Sequence, residues 1–135
     1  MLATNRAFYD AFEARDLDRM SDIWEHSDRV LCTHPGWATL RGWGQISASW
    51  VALFSGAQHL QFILTDERAE VAGDTAWVSV DENILAAAQP ATTVAALNVF
   101  VRTPEGDWRM VAHHASQVSA DPDPTGADPD ETPPL

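Results

Sequence analysis

The sequence predicts an α+β domain in which three short helices pack on one face of a curved antiparallel sheet. Three observations carry this. Apolar residues recur at helical spacing in most of the chain up to residue 54, they alternate with polar ones from residue 59 onward, and turn residues separate the alternating runs. A chain of 135 residues is long enough for one domain with its own core and too short for two.

Thr4 is placed to cap a first helix in which Phe8 and Phe12 fall four apart on one face. Asp16-Leu17-Asp18 turns the chain into a second, short helix with Leu17, Met20 and Trp24 at helical spacing. Arg29 to His34 then alternates, with Val30, Cys32 and His34 on one side, until Pro35-Gly36 ends the strand. Helical period returns from Gly42 to Phe54, placing Trp43, Ile46 and Trp50 on one stripe, and Ser55-Gly56 stops it. The remaining runs, His59 to Ala72, Thr75 to Ala86, Thr92 to Arg102 and Asp107 to Val118, are rich in Val, Thr, Trp and Phe. Turns at Gly73-Asp74, Gln89-Pro90 and Pro104-Glu105-Gly106-Asp107 join them, so the expected order is ααβαββββ.

Residues 1–118 form the expected domain and 119–135 an acidic, Pro-rich tail that holds too little apolar surface to offset the entropy of ordering it. Twenty acidic residues face eight basic ones, all Arg, for a net charge of −12. Such a field repels phosphate backbones and anionic lipid, so neither nucleic acid nor a membrane surface is an expected partner. No apolar run approaches the ~20 residues of a membrane span. The N-terminus shows no basic segment followed by an apolar one, so a cytoplasmic location is expected. The single cysteine, Cys32, can form neither an internal disulfide nor a cysteine-based zinc site.

Several segments together resemble the nuclear transport factor two-like superfamily, and within it the SnoaL-like proteins. They are Ala-Phe-Tyr-Asp-Ala-Phe-Glu-Ala-Arg-Asp-Leu-Asp near the start, the Cys-Thr-His-Pro-Gly-Trp turn, the Arg-Gly-Trp helix and the closing Gly-Asp-Trp-Arg-Met-Val-Ala-His-His-Ala-Ser. The resemblance spans residues 3–118 and implies a cone whose bent sheet encloses a pocket, in a protein that forms homodimers through the sheet. The superfamily includes isomerases, polyketide cyclases, dehydratases and transport factors, so activity must be argued from residues.

By that resemblance His34, before Pro35, stands where ketosteroid isomerases carry a general-base Asp, and an imidazole can move the same proton. Asn98 stands where they carry a protonated Asp that donates to an enolate oxygen. Phe8 stands where they carry an essential tyrosine, and Tyr9 points about 100° away on the helix. That departure argues against steroid isomerisation by the isomerase mechanism.

The residues themselves add two more candidates. Glu82 shares a strand face with Ala76, Val78, Val80 and Ile84, and strict alternation puts His114 with Trp108, Met110 and Ala112 on the inner face of the last strand. A carboxylate and an imidazole paired across a pocket can relay a proton, or simply tie strands together. Alternation sends His113 to the outer face. Trp24, Trp37, Trp50, Phe8 and Phe100 are the expected pocket wall for a small hydrophobic ligand, with most indoles serving as core. Neither a metal nor a cofactor is expected, because adjacent His113 and His114 cannot share an ion in a regular strand. Two readings stand at this point: cofactor-free acid/base chemistry beside a carbonyl, or a pocket or dimeric domain without catalysis.

Overall fold

In the computed structural model, residues 1–56 and 58–119 are described; the tail assigned to 119–135 therefore lies, apart from Ser119, outside the described residues. Three helices come first: α1 (Leu2–Ala14), α2 (Leu17–Ile23) and, after two short strands, α3 (Trp43–Phe54). Strands β1 (Leu31–Thr33), β2 (Leu40–Arg41), β3 (Leu60–Ala72), β4 (Thr75–Ala86), β5 (Thr92–Arg102) and β6 (Trp108–Gln117) form one curved, unclosed sheet in the order β2-β1-β6-β5-β4-β3. All neighbours are antiparallel except β1 and β6, which run parallel.

The long strands follow the sequence pattern closely: β4 and β5 begin and end where alternation places them. The two-residue β2 is the added element, too short to leave a periodic signature; it pairs Leu31 with Arg41 and Cys32 with Leu40. The first helix is not capped by Thr4. It begins at Leu2 with Met1 as its N-cap and no side-chain cap, and the Asn5 N–H to the Met1 carbonyl is its first regular helix bond. Asp16 caps α2 by accepting the Arg19 N–H at 3.1 Å. Trp24 falls just past α2 in extended conformation and bridges to Met110. Gly42 enters α3 at φ 82°, where a side chain would strain the backbone, and its N–H donates to the Val30 carbonyl.

Helix and sheet faces meet in one core. Phe8, Met20, Trp24, Ile46 and Trp50 come from the helices and their ends, and Val78, Val80, Phe100 and Met110 from the sheet. Burying each of these large side chains contributes on the order of 1.5–3 kcal/mol. Phe8 touches Tyr9, Phe12, Trp50 and His113 with ring centroids 4.9–6.1 Å apart, so α1 is fixed against both α3 and β6.

The last strand departs from strict alternation. Phe100 pairs with Met110 but Val99 pairs with Ala112, so Val111 is an extra residue in β6. Inner-face parity holds as far as Met110 and inverts after it. His113 is buried and His114 is exposed, the reverse of the sequence expectation.

Candidate functional site

A chain of buried polar side chains crosses the core from β6 to β4. His113 Nδ1 meets Asn98 Oδ1 at 2.6 Å. The Asn98 amide nitrogen donates to Asn5 Oδ1 at 2.9 Å and to the Tyr9 hydroxyl at 3.1 Å. The Tyr9 O–H in turn donates to Glu82 Oε2 at 2.6 Å. Every direction in the chain is set by the inventory of hydrogens: Asn98 Oδ1 only accepts, so His113 carries its proton on Nδ1 and leaves Nε2 with a lone pair. The network is almost completely withdrawn from solvent, where unpaired polar groups are expensive, and each member satisfies its neighbour.

His34, the residue after β1, is fixed in the same way from α3. Its Nε2 lies 2.9 Å from Ser49 Oγ, while the only hydroxyl hydrogen of Ser49 goes to the Ile46 carbonyl at 2.6 Å. Ser49 therefore accepts, His34 holds its proton on Nε2, and Nδ1 keeps its lone pair. Trp37 and Trp50 stand edge-to-face with the ring at 5.0 and 4.8 Å.

A cavity of about 230 Å³ opens between these groups. It is lined by Phe12, His34, Pro35, Trp37, Leu53, Leu60, Glu82, Ile84 and His113. Burial raises the Glu82 carboxyl to about 7, against the Tyr9 hydrogen bond, which lowers it. Burial depresses His34 to about 4. His113 is pushed down to about 3, chiefly by burial and then by the neighbouring His34 and His114. Tyr9 is raised far above its ordinary value by burial and by the Glu82 charge, so it stays a hydrogen-bond donor. Burial also lifts the Cys32 thiol to about 12, which removes it as a nucleophile. The cavity thus presents one carboxyl poised near neutrality beside two neutral imidazoles. Of the Glu82 oxygens, Oε2 is held by Tyr9 and Oε1 has no hydrogen-bond partner among the described residues.

The sequence candidates sort cleanly against this geometry. Glu82 and His34 are on the cavity wall as expected. His114 is not, because the extra residue in β6 turns it to the outer face. Asn98 is buried as expected, but both its amide hydrogens are committed to Asn5 and Tyr9, so it has none to offer an enolate oxygen. Of the expected wall, Trp37 lines the cavity and is 42% exposed at its mouth. Phe8, Trp24, Trp50 and Phe100 are core rather than lining. Tyr9, His113, Asn5 and Ser49 were missed. Asn5 and Tyr9 lie four apart on α1, a spacing that marks one helix face, and Ser49 follows Ile46 by three on the α3 stripe. Among the described residues no cluster of three or more His, Cys, Asp or Glu is arranged to hold a metal ion, and no helix is long and apolar enough to cross a membrane.

A curved, unclosed sheet with helices against one face and a largely apolar cavity inside, into which Glu82, His34 and His113 bring polar groups, defines an NTF2-like cone. Residues 1–120 match the SnoaL-like domain family, and the chain belongs to it. A candidate dehydratase of the NTF2-like family from Streptomyces avermitilis is 40% identical, with 87% of this chain and 93% of that one aligned at a TM-score of 0.79. A candidate calcium/calmodulin-dependent protein kinase type II association domain from Thiobacillus denitrificans is 38% identical, covering 86% of this chain and 93% of that one at a TM-score of 0.75. F-box protein SKIP8 of Arabidopsis thaliana is 28% identical over 121 residues, 90% of this chain, which spans about half (51%) of that protein's length.

Proposed function

We propose that the chain binds a small hydrophobic carbonyl compound in the Glu82 cavity and transfers a proton on it without a cofactor, with elimination of water from a β-hydroxy carbonyl compound as the reaction. The observation that carries this is the Glu82 carboxyl on the cavity wall, gripped at Oε2 by Tyr9 and open at Oε1. A group that titrates near 7 suits a proton that must be taken and returned, whereas imidazoles at about 4 and 3 are weak bases. The expected base therefore moves from His34 to Glu82. In the step, ionised Glu82 takes the proton next to the carbonyl and the C–H electrons become the new C=C bond. The C–O bond then breaks, and Glu82 gives the same proton to the departing hydroxyl, which leaves as water. His34 Nδ1 and His113 Nε2 accept hydrogen bonds from substrate hydroxyls and set its pose. The 40% identical Streptomyces avermitilis protein, named as a candidate dehydratase, supports the choice of reaction.

The test is a panel of β-hydroxy carbonyl compounds, with the conjugated product followed by absorbance and affinity measured separately. Glu82→Gln should lower kcat by roughly a hundredfold or more, the range of general acid/base catalysis, with affinity nearly unchanged. Undiminished turnover in that variant contradicts the mechanism; binding without turnover in the native chain favours a pure binder.

A second reading, a dimeric interaction domain, is favoured by the outer sheet face, where Ile63, Trp77 and Leu97 are 49%, 38% and 43% exposed, and by the relative named as an association domain. A homodimer through this face, in the cytoplasm, is compatible with catalysis inside each cone. Light scattering should show the native chain as a dimer and Leu97→Glu as a monomer; a native monomer at micromolar concentration overturns the dimer.

A further inference from the structure

A second cavity, of about 380 Å³, adjoins the first and shares Phe12, Leu53 and Leu60 with it. Among the described residues its wall is apolar apart from Gln58 and one charged side chain, Arg15, at the C-terminus of α1. Six of the eight arginines form ion pairs with Asp or Glu; Arg15 and Arg41 are the two without one among the described residues, and Arg41 lines neither cavity. Arg15 is half-buried and held in place: its Nη1 donates to the Gly56 carbonyl at 2.5 Å and its Nη2 lies 3.0 Å from His59 Nε2. A guanidinium has five N–H donors, so most of the fork remains free. In a chain of net charge −12 most arginines find a carboxylate. A fixed guanidinium without one, at the edge of an apolar chamber, is matched to a carboxylate brought by a ligand, which it can hold by two parallel hydrogen bonds.

We propose that Arg15 is a specificity residue that recognises the carboxylate of an elongated hydrophobic substrate, whose body crosses Phe12, Leu53 and Leu60 and whose reactive end reaches Glu82. The inference rests on the cavity reading above and adds the substrate class: an apolar acid rather than a neutral steroid-like compound. The acidic surface then acts as a filter, since an anion gains only where Arg15 offsets the surrounding field.

The test uses pyrenebutyrate and its uncharged counterpart pyrenebutanol, with pyrene fluorescence anisotropy as the readout. Arg15→Gln should weaken pyrenebutyrate by roughly tenfold or more, the scale of a charge-assisted hydrogen bond, and change pyrenebutanol less than about twofold. Arg15→Lys should recover part of the loss, and Leu53→Glu should remove both probes because Leu53 lines both chambers. Equal weakening of both probes by Arg15→Gln means that Arg15 only ties α1 to the end of α3, and overturns the proposal. So does an unchanged pyrenebutyrate affinity, or retention of both probes by a folded Leu53→Glu. If neither probe binds the native chain, the cavity reading falls with the proposal; if both bind and Arg15→Gln moves neither, the proposal falls alone.

Discussion

Replacing Glu82 with Gln should stabilise the fold increasingly as pH rises. The carboxyl is 2% exposed, and burial lifts it from 4.5 to about 7. Because the folded state holds this proton more tightly than the unfolded chain, Glu82 favours folding fully below pH 4.5, and that contribution is lost as pH rises through 7. A gap of about 2.5 in pKa, at ~1.4 kcal/mol per pH unit, corresponds to roughly 3 kcal/mol. Gln keeps the acceptor for the Tyr9 hydroxyl and cannot ionise. Urea unfolding of both chains from pH 4 to 8 measures the effect, and taking the difference cancels every group that they share. The stability of Glu82→Gln relative to the native chain should climb by roughly 3 kcal/mol between pH 4 and 8, nearly all of it between 4.5 and 7. A difference that stays flat with pH would show that Glu82 ionises normally in the fold, and the proton-transfer mechanism would lose its basis.

Tyr9→Phe removes the hydrogen bond that holds the Glu82 carboxyl down, so its midpoint should rise above 7 in a carboxyl ¹³C titration, with stability falling by about 1–3 kcal/mol. Asn98→Leu strips partners from His113, Asn5 and Tyr9 at once; at ~1–3 kcal/mol for each buried group left unpaired, it should be among the most destabilising single changes, measured by chemical denaturation. His34 and His113 fold as neutral rings with lowered pKa values, so their contribution is complete above 6.5 and is lost as pH falls through about 4 and 3. Urea midpoints at pH 7 and pH 4.5 should show this acid loss, and His34→Gln should remove part of it. If His34 only positions substrate, His34→Gln should raise KM more than it lowers kcat in steady-state assays.

The sequence carried the fold through periodicity. Alternation in β4 and β5 runs unbroken, which is why both strands and the inward placement of Glu82 and Asn98 were legible. In β6 the same logic failed at one residue: Val111 bulges, no Gly or Pro marks the place, and every side chain beyond it changes face. His113 and His114 were exchanged for that reason alone. Tyr9 was hidden differently. The resemblance drew attention to Phe8, and a helix position 100° around reads as half-exposed unless one knows that β3 and β4 fold over that face. Asn98 was found but given the wrong task, because pattern shows that a side chain points inward and says nothing of which partners consume its hydrogens. The cavity itself was legible only as an expectation of the family, since its walls come from α1, α3, β3, β4 and β6 and from the loop that follows β1.

One titration reaches the central claim, that a single cavity holds a protonatable carboxyl between two neutral imidazoles of fixed tautomer. With ¹³C on the Glu carboxyls and ¹⁵N on the imidazoles, NMR reports all three groups in one sample. The expected result is a Glu82 midpoint near 7, with His34 protonated on Nε2 only and His113 on Nδ1 only from pH 5 upward. A Glu82 midpoint near 4.5, or an imidazolium at either histidine at pH 6, would contradict it.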